Sequence, residues 1–200
     1  MKLYYAPQAC SLAPHIVLRE LGLPFELIRI DNRSKQTDSG EDFFAINPKG
    51  YVAALQLDDG HVLTEGPAIL QYLADLRPDT RLAPAPGTFE RVRLQEWLNF
   101  VSTEIHGGLG WLFSERFTQD VKAQIKEKLF KRFVVLCQTL ERQDYLLTSG
   151  FSVADAYLFT VLRWAPWFDI DLDRWPALAR FQARVGERQS VAAALAVELA

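Results

Sequence analysis

A cysteine follows the first apolar segment of the chain, and its position suggests a reactive thiol. The segment Leu3-Tyr4-Tyr5-Ala6-Pro7 leads to Cys10, and an amphipathic stretch then runs over residues 11–21. Cys10 is therefore expected at a helix N-terminus, where unpaired N–H groups and the positive end of the helix dipole stabilise an anion. A thiol there is expected to ionise more readily than free cysteine, and the thiolate is the reactive form. The sequence predicts that the chemistry takes place around Cys10.

The other residues with chemical potential give weaker signals. Cys137 lies in the apolar run Phe133-Val134-Val135-Leu136-Cys137, which is typical of a buried core. No cluster of histidines and carboxylates has ligand spacing, so metal catalysis is not expected. His15 and His61 are interpreted as surface or packing residues. Two distant cysteines without a disulfide framework favour a reducing compartment.

The composition excludes several classes of partner. The 200 residues carry a formal net charge of −3, which gives no electrostatic reason to expect nucleic acid or an anionic membrane. No stretch approaches the roughly 18 apolar residues of a membrane span. The N-terminus has one lysine and no sustained apolar run, so a signal peptide is not expected. These features predict a cytoplasmic protein.

The elements that would position Cys10 alternate between strand and helix. Strands are predicted at 2–5, 25–30, 54–57 and 61–63, and helices at 11–21, 41–46 and 65–76. Asp58-Asp59-Gly60 supplies hairpin turn residues between the last two strands. The predicted order is βαβαββα, over a domain of residues 1–77.

The rest of the chain has a helical period. Pro78, Pro84 and Pro86 predict a linker over residues 78–87. Helices are predicted at 88–113, 120–141, 153–165, 177–185 and 188–199, which gives an all-α domain of residues 88–200. Ser152 and Asp155 form a capping box ahead of an apolar run. The expected fold class is therefore α/β followed by all-α.

Three ordered motifs carry a resemblance to a known family. They are Tyr-Tyr-Ala-Pro-Gln-Ala-Cys-Ser (4–11), Asn-Pro-Lys-Gly-Tyr-Val (47–52) and Leu-Thr-Glu-Gly-Pro-Ala-Ile (63–69). With the two-part organisation, they resemble the glutathione transferases, and most closely the bacterial beta class, in which a cysteine lies next to glutathione. The resemblance implies a thioredoxin-like N-terminal domain, glutathione as co-substrate, no metal, and a homodimer with the site near the interface.

The resemblance also implies roles for individual residues. Cys10 would face the glutathione sulfur, and His106 would lie near it, so both are catalytic candidates. Glu65 and Gly66 would bind the γ-glutamyl end, Val52 would pair with the cysteinyl backbone, and Lys35 would reach the glycine carboxylate. Further site-lining positions are Asn99, Thr103, Glu104 and Ile105, some of which could reach across a dimer.

Each of these roles has a structural alternative. Glu65 could simply complement the dipole of the following helix. Lys35 could be a solvated surface lysine, and His106 could be structural, although its side chain can act as donor or base near neutral pH. Tyr5 is interpreted as packing. The Ser11 hydroxyl could assist the site or cap the helix.

The resemblance also implies a second substrate that is a hydrophobic electrophile, and the helical domain supplies apolar rather than charged side chains to contact it. The candidates for this contact are aromatic, and aromatic residues at helical spacing also form ordinary core. They are Trp111, Phe113, Phe117, Trp164, Trp167 and Phe168.

Two positions depart from the family pattern. The family has a cis-proline after the residue corresponding to Val52, whereas this chain has Ala53. Because a non-proline cis bond costs roughly 2.5–4 kcal/mol, we predict a trans Val52-Ala53 bond and weakened glutathione affinity. Gly107 stands where related sequences carry a basic residue.

The main hypothesis is an enzyme that conjugates glutathione to hydrophobic electrophiles, by way of the glutathione thiolate. Glutathione-dependent disulfide reduction through Cys10 is a possible second activity, and it would be monothiol because Ala13 replaces a second cysteine. The alternative is a non-catalytic glutathione- or ligand-binding or regulatory protein on the same scaffold. A plain thioredoxin-like reductase is disfavoured by the missing cysteine pair.

Overall fold

A mixed five-stranded sheet organises the N-terminal part of the chain. The structure is a computed structural model that describes residues 1–199. The strands are β1 (Lys2–Tyr5), β2 (Glu26–Asp31), β3 (Gln36–Thr37), β4 (Ala54–Gln56) and β5 (Val62–Thr64), in the order β3-β2-β1-β4-β5. β1 is parallel to β2 and antiparallel to β4, and β4 is antiparallel to β5. The C-terminal ends of β1, β2 and β5 therefore share one edge of the sheet.

Nine α-helices accompany the sheet in the described residues 1–199. They are α1 (Leu12–Glu20), α2 (Phe43–Ile46), α3 (Gly66–Asp75), α4 (Phe89–Phe100), α5 (Gly107–Leu112), α6 (Gln119–Leu140), α7 (Val153–Leu162), α8 (Pro176–Gly186) and α9 (Gln189–Glu198). None of the helices in this range is long and apolar enough to cross a membrane.

The predicted strand and helix order is confirmed except for one added strand, β3. β3 has two residues and pairs Thr37 with Ile30 of β2. It is too short and polar for an alternating pattern, so the sequence did not reveal it.

The β4–β5 hairpin agrees with the prediction. So do α1 and α3, which bury Ile16, Val17 and Leu73. Each such side chain contributes roughly 1.5–3 kcal/mol of hydrophobic burial.

The chain divides into two compact units. The first comprises Met1–Ala83 together with the segment from Arg188, and the second comprises Pro84–Glu187. α9 packs against α1 and so belongs with the sheet. The sequence prediction placed this helix among residues 88–200 because its period resembles that of the helices before it.

A π-helical segment joins α4 to α5 in the second unit. The region predicted as one helix over 88–113 is helical, but its middle part, Val101–His106, has π-helical rather than α-helical hydrogen bonding. Insertions of this kind are frequent at functional sites. The positions predicted to line the site from Thr103 to His106 all lie on this segment.

The predicted capping box at the start of α7 is confirmed. The Asp155 carboxylate accepts hydrogen bonds from the Ser152 N–H at 2.8 Å, the Ser152 hydroxyl at 2.7 Å and the Leu146 N–H at 2.8 Å. Asp155 is fully buried. Burial raises its pKa to about 6, although these hydrogen bonds favour the carboxylate. The box thus anchors the loop before α7 as well as the helix itself.

Candidate functional site

The turn between β1 and α1 presents the Cys10 thiol. The Ser11 hydroxyl accepts from the Ala6 N–H and donates to the Ala6 carbonyl, both at 3.2 Å, and Ser11 is fully buried. The hydroxyl therefore closes the turn rather than capping α1. Cys10 is partly buried, and its thiol donates to the Val52 carbonyl at 3.1 Å. Tyr5 is buried, in agreement with a packing role.

The prediction of an easily ionised Cys10 thiol is wrong. Burial raises the pKa of Cys10 to about 11, and the nearby Glu65 and Glu198 carboxylates add to this effect. The backbone hydrogen bonds at Cys10 and Ser11 lower the pKa, as the helix-terminus argument requires, but burial is the larger effect. Cys10 is therefore a protonated thiol at neutral pH, consistent with its role as donor to Val52.

The predicted trans Val52-Ala53 bond is also wrong, because the bond is cis. The prediction weighed only the intrinsic cost of the bond. In the folded chain the neighbouring groups have fixed partners: Asn47 Nδ2 donates to the Tyr51 carbonyl at 2.7 Å, and the Val52 carbonyl accepts from Cys10. Ala54 follows directly in β4. The weakened affinity inferred from a trans bond loses its basis.

Glu65 begins α3 in an unusual backbone conformation. Its φ of 71° lies in the left-handed region, which few non-glycine residues adopt. Its Oε1 accepts from Lys49 Nζ at 2.6 Å, and Lys49 also donates to the Thr64 hydroxyl at 3.1 Å. Both charged side chains are more than half exposed. Because such an ion pair is weak in water, Glu65 can exchange Lys49 for another cation at little cost.

The first turn of α3 offers a single donor position next to Glu65. Gly66 is the first helical residue, Pro67 lacks an N–H, and the Ala68 N–H donates to the Glu65 carbonyl at 3.0 Å. The Gly66 N–H therefore lies where the helix dipole favours an anionic ligand.

Lys35 has a structured position on the loop after β2. Its φ is 57°, its N–H donates to the Asp31 carbonyl at 2.9 Å, and its own carbonyl accepts from Phe43 at 2.8 Å. Its Nζ lies 3.5 Å from Asn32 Oδ1 and 5.9 Å from the centre of the Tyr51 ring. The ammonium group is thus directed toward the residue that precedes Val52.

The sheet topology explains why these residues come together. Cys10 follows β1, Lys35 follows β2 and Glu65 follows β5, and these three strands run in the same direction. Val52 precedes β4, which runs the opposite way. All four residues therefore lie at the same edge of the sheet. This edge combines a thiol, a carboxylate, a cation and backbone groups.

In the second unit, His106 forms the centre of a polar and aromatic cluster. Its Nδ1 is 2.5 Å from the hydroxyl of Tyr157, a buried residue on α7. Its ring makes edge contacts with Tyr157 and with Trp164, with centroids 5.7 and 5.0 Å apart. His106 itself is partly exposed. The Tyr157 hydroxyl and the two aromatic rings therefore fix the orientation of the imidazole.

The other site residues predicted on α4 and on the π-helical segment differ in exposure and in hydrogen bonding. Asn99 and Thr103 are exposed, and the Thr103 hydroxyl donates to the Asn99 carbonyl at 3.0 Å. The Arg132 guanidinium, 2.5 Å from Glu104, holds the pKa of that carboxyl below its usual range. The Ile105 side chain is fully buried, so any contact with a ligand would have to come from its backbone.

The six aromatic candidates separate into two groups. Phe113 contacts Trp164, Trp167 and Phe168, with ring centroids 5.5, 5.7 and 4.7 Å apart. Trp164 also contacts His106, so this group is continuous with the imidazole. Trp111 pairs instead with Phe117 at 5.7 Å, and it lines a groove of about 290 Å³ with Glu104 and Lys128.

Sequence reasoning missed two polar residues of these clusters. Lys49 lies inside the motif 47–52, but its type alone indicates only a turn lysine. Tyr157 lies in an apolar run, and no local signal connects it to His106, 51 residues earlier. Among residues 1–199, no group of three or more His, Cys, Asp or Glu side chains is placed to hold a metal ion.

Comparison with known proteins identifies close relatives over the whole chain. Residues 9–76 match the family model described as glutathione S-transferase, N-terminal domain, and residues 94–189 match the one for the C-terminal domain. Glutathione S-transferase GstA of Escherichia coli O157:H7 is 44% identical over 198 residues, which cover 99% of this chain and 98% of GstA.

Solved structures agree with the sequence relatives. The ternary complex of BphK, a bacterial GST, superposes with a TM-score of 0.98 at 52% identity over 100% of both chains. Two sphingomonad proteins each give a TM-score of 0.95 over 99% of this chain and 98% of theirs. One is a glutathione S-transferase complexed with glutathione, 43% identical, and the other is the bacterial beta class enzyme of Sphingomonas chungbukensis, 42% identical.

Proposed function

Because this chain belongs to the glutathione transferase family and is an enzyme of that family, we propose that it conjugates reduced glutathione to hydrophobic electrophiles. The resemblance to the beta class is confirmed by a 42% identical structure. The observation that carries the proposal is the sheet edge at which Cys10, Lys35, Val52 and Glu65 meet. Its groups complement a peptide that has two carboxylates, an ammonium group and a thiol.

Each group at the edge receives one part of glutathione. Glu65 exchanges its contact with Lys49 for the γ-glutamyl ammonium, and the Gly66 N–H binds the adjacent carboxylate. The Val52 backbone pairs with the cysteinyl residue. Lys35 binds the glycine carboxylate, for which its position beside Tyr51 gives support. A sphingomonad relative is complexed with glutathione, which supports the same ligand here.

Cys10 acts as a hydrogen-bond donor to the glutathione sulfur. When the cysteinyl backbone occupies the Val52 carbonyl, the Cys10 thiol is released from that acceptor and can donate to the ligand. A thiol with a pKa of about 11 is ionised in only about one molecule in 10,000 at neutral pH. Disulfide exchange by Cys10 is therefore the minor activity, because exchange requires the thiolate.

His106 receives the proton of the glutathione thiol. The sulfur then attacks the electrophilic carbon, the new carbon–sulfur bond forms, and the bond to the leaving group breaks. Asn99, Thr103, Glu104 and Ile105 complete the wall of the site, and we expect the chain to form a homodimer in which some of them reach the partner's glutathione. The proposal includes a cytoplasmic location, since the two cysteines are free thiols.

The hydrophobic substrate contacts the aromatic group that adjoins His106. Phe113 and Trp167 are about half exposed, which makes them available to a ligand, and they share the cluster with Trp164 and Phe168. Trp111 and Phe117 form a separate pair, so they are the weaker candidates.

Steady-state assays with chlorodinitrobenzene and with hydroxyethyl disulfide test the proposal. Cys10→Ala should retain conjugation within about tenfold, since one hydrogen bond to a charged group contributes about 1.5 kcal/mol. The same variant should lose the disulfide reduction. Cys137→Ala, which removes the other thiol, serves as the control for both activities. Absence of conjugation in the parent protein, with glutathione bound, would refute the proposed reaction.

A further inference from the structure

A buried chain of hydrogen bonds connects the C-terminal helix to the turn that carries Cys10. Glu198 of α9 accepts the Gln8 N–H on Oε2 at 2.9 Å, and its Oε1 lies 2.8 Å from His15 Nδ1. On the other side of the imidazole, Arg19 Nε donates to His15 Nε2 at 2.8 Å. The side chains of Glu198 and His15 are both fully buried.

The direction of each hydrogen bond follows from the donors available. A guanidinium can only donate, so His15 Nε2 is an acceptor. The proton of the neutral imidazole is then on Nδ1, which donates to Glu198. The Glu198 carboxylate therefore receives two donors, the Gln8 N–H and the His15 ring. Phe25 and Tyr5 pack against the His15 ring, with centroids 5.7 and 6.2 Å away.

The Gln8 contact fixes the backbone close to the thiol. Gln8 has a φ of 61°, in the left-handed region that a side-chain-bearing residue rarely adopts without support. It lies two residues before Cys10. At the other end of the same turn, the Ser11 hydroxyl is hydrogen bonded to Ala6. The turn from Ala6 to Ser11 is therefore held at two points, one local and one from α9.

We propose that Glu198 is a positioning residue for Cys10, because its carboxylate holds the Gln8 turn and thereby places the thiol against the Val52 carbonyl. None of the site residues predicted from the sequence lies on α9. Through Glu198, α9 therefore contributes to the site a residue that is 188 positions away from Cys10 in the chain.

The charge of Glu198 has a second consequence for the same thiol. Two carboxylates, Glu65 and Glu198, raise the pKa of Cys10 in addition to the larger effect of burial. Glu65 is exposed and paired with Lys49, whereas Glu198 is buried. Glu65 has the larger effect of the two, and the effect of the buried Glu198 is screened little by solvent. Neutralising Glu198 should therefore make the Cys10 thiol ionise more readily.

The chain offers a matched control for the packing of α9. Glu20 of α1 accepts hydrogen bonds from Arg188 and Ser190, and so it also ties α1 to the C-terminal segment. Its contacts in the structure are with that segment and not with the turn. A change at Glu20 weakens the same helix pair while leaving the Gln8 contact in place.

The experiment compares Glu198→Gln with Glu20→Gln in the full chain. The rate of Cys10 alkylation by iodoacetamide is measured by mass spectrometry of the Cys10 peptide at about pH 9, where the rate follows the thiolate fraction. Glu198→Gln should raise this rate by up to about threefold, because it removes the smaller of the two carboxylate effects on the pKa of Cys10. It should also speed hydrogen exchange at the Gln8 amide by roughly tenfold. Glu20→Gln should lower the Tm and change neither readout.

Glu198→Asp distinguishes the effect of side-chain length from that of the negative charge. It also replaces Glu198→Gln in the experiment if that variant does not fold. It keeps the carboxylate but shortens it by one methylene, so the Gln8 amide should exchange faster while the alkylation rate stays closer to that of the parent. The proposal is overturned if both Glu198 variants lower the Tm and leave the alkylation rate and Gln8 exchange as in the parent.

The proposal rests on the proposed function only in giving Cys10 its place in the site. Both readouts are taken without glutathione or electrophile, so a failure of conjugation does not affect them. A negative result at Glu198 likewise leaves the conjugation proposal standing.

Discussion

The two histidine-centred networks of the protein, one in each unit, hold their imidazoles in different surroundings. His15 is fully buried, and its two ring nitrogens contact the charged side chains of Glu198 and Arg19. His106 is partly exposed, and its Nδ1 contacts the neutral hydroxyl of Tyr157 within an aromatic cluster. The first ring is enclosed by ionic partners, and the second is oriented by a neutral one.

The difference matches the two roles that we propose, a supporting one for His15 and a catalytic one for His106. A fully buried ring between a carboxylate and a guanidinium can transmit position, but solvent and substrate do not reach it. A partly exposed ring on a π-helical segment, in contact with the Tyr157 hydroxyl, is suited to exchange a proton with a ligand. In both arrangements a histidine contacts polar side chains, so the presence of a histidine in the sequence does not by itself distinguish them.

The largest expected effect is on stability, at the buried network. His15→Ala leaves Glu198 and Arg19 without their common partner, and breaking a buried charged contact costs roughly 3–5 kcal/mol. Urea unfolding should show this loss in the free energy of unfolding. His61→Ala, at an exposed histidine near Asp59, is the matched control and should leave the free energy unchanged. A loss below about 1 kcal/mol for His15→Ala would contradict the comparison.

The second largest effect is expected on catalysis, at the partly exposed ring of His106. His106→Ala should lower kcat/KM for conjugation by roughly 100-fold, the usual contribution of general acid–base catalysis. The free energy of unfolding should change by less than for His15→Ala. Measuring kcat/KM and the free energy of unfolding for both variants separates the two roles. If His15→Ala were as active and as stable as the parent protein, the supporting role of His15 would be contradicted.

A smaller effect is expected at the aromatic wall. Phe113→Ala should raise the KM for a hydrophobic electrophile by about tenfold, because it removes apolar contact area next to His106. Trp111→Ala removes a more exposed aromatic residue from the separate pair with Phe117 and should leave the KM within about twofold. Equal effects of the two variants would mean that the two aromatic groups form one surface for the substrate.

The smallest effect is expected for the hydroxyl that orients His106. Tyr157→Phe removes one hydrogen bond, worth about 1 kcal/mol, so kcat/KM should fall by about fivefold. The pH profile of kcat/KM should also move, since the ring loses the group that fixes its Nδ1. A profile that keeps its midpoint would indicate that Tyr157 only packs.

The local sequence pattern was sufficient to predict those elements whose determining residues lie close together in the sequence. The turn residues Asp58-Asp59-Gly60 predicted the β4–β5 hairpin, and Ser152 with Asp155 predicted the start of α7. The resemblance to glutathione transferases implied that Cys10, Val52 and Glu65 belong to one site, although the sheet-edge topology that brings them together is visible only in the fold.

The remaining features depend on contacts between distant residues. The helix-terminus argument gave the wrong direction for the Cys10 pKa, because burial is set by tertiary packing. The geometry of the Val52-Ala53 bond, the π-helical segment and the Lys49–Glu65 pair have no local signal. The contact between Glu198 and Gln8 joins residues 190 positions apart, beyond any periodicity.

Thiolate absorbance tests the central claim most directly, namely that bound glutathione and not Cys10 carries the reactive sulfur anion. Ultraviolet difference spectra of the parent protein and Cys10→Ala are recorded at neutral pH, with and without glutathione. We expect no thiolate signal in either free protein and a signal in both glutathione complexes. A signal in the free parent protein that disappears in Cys10→Ala would contradict it.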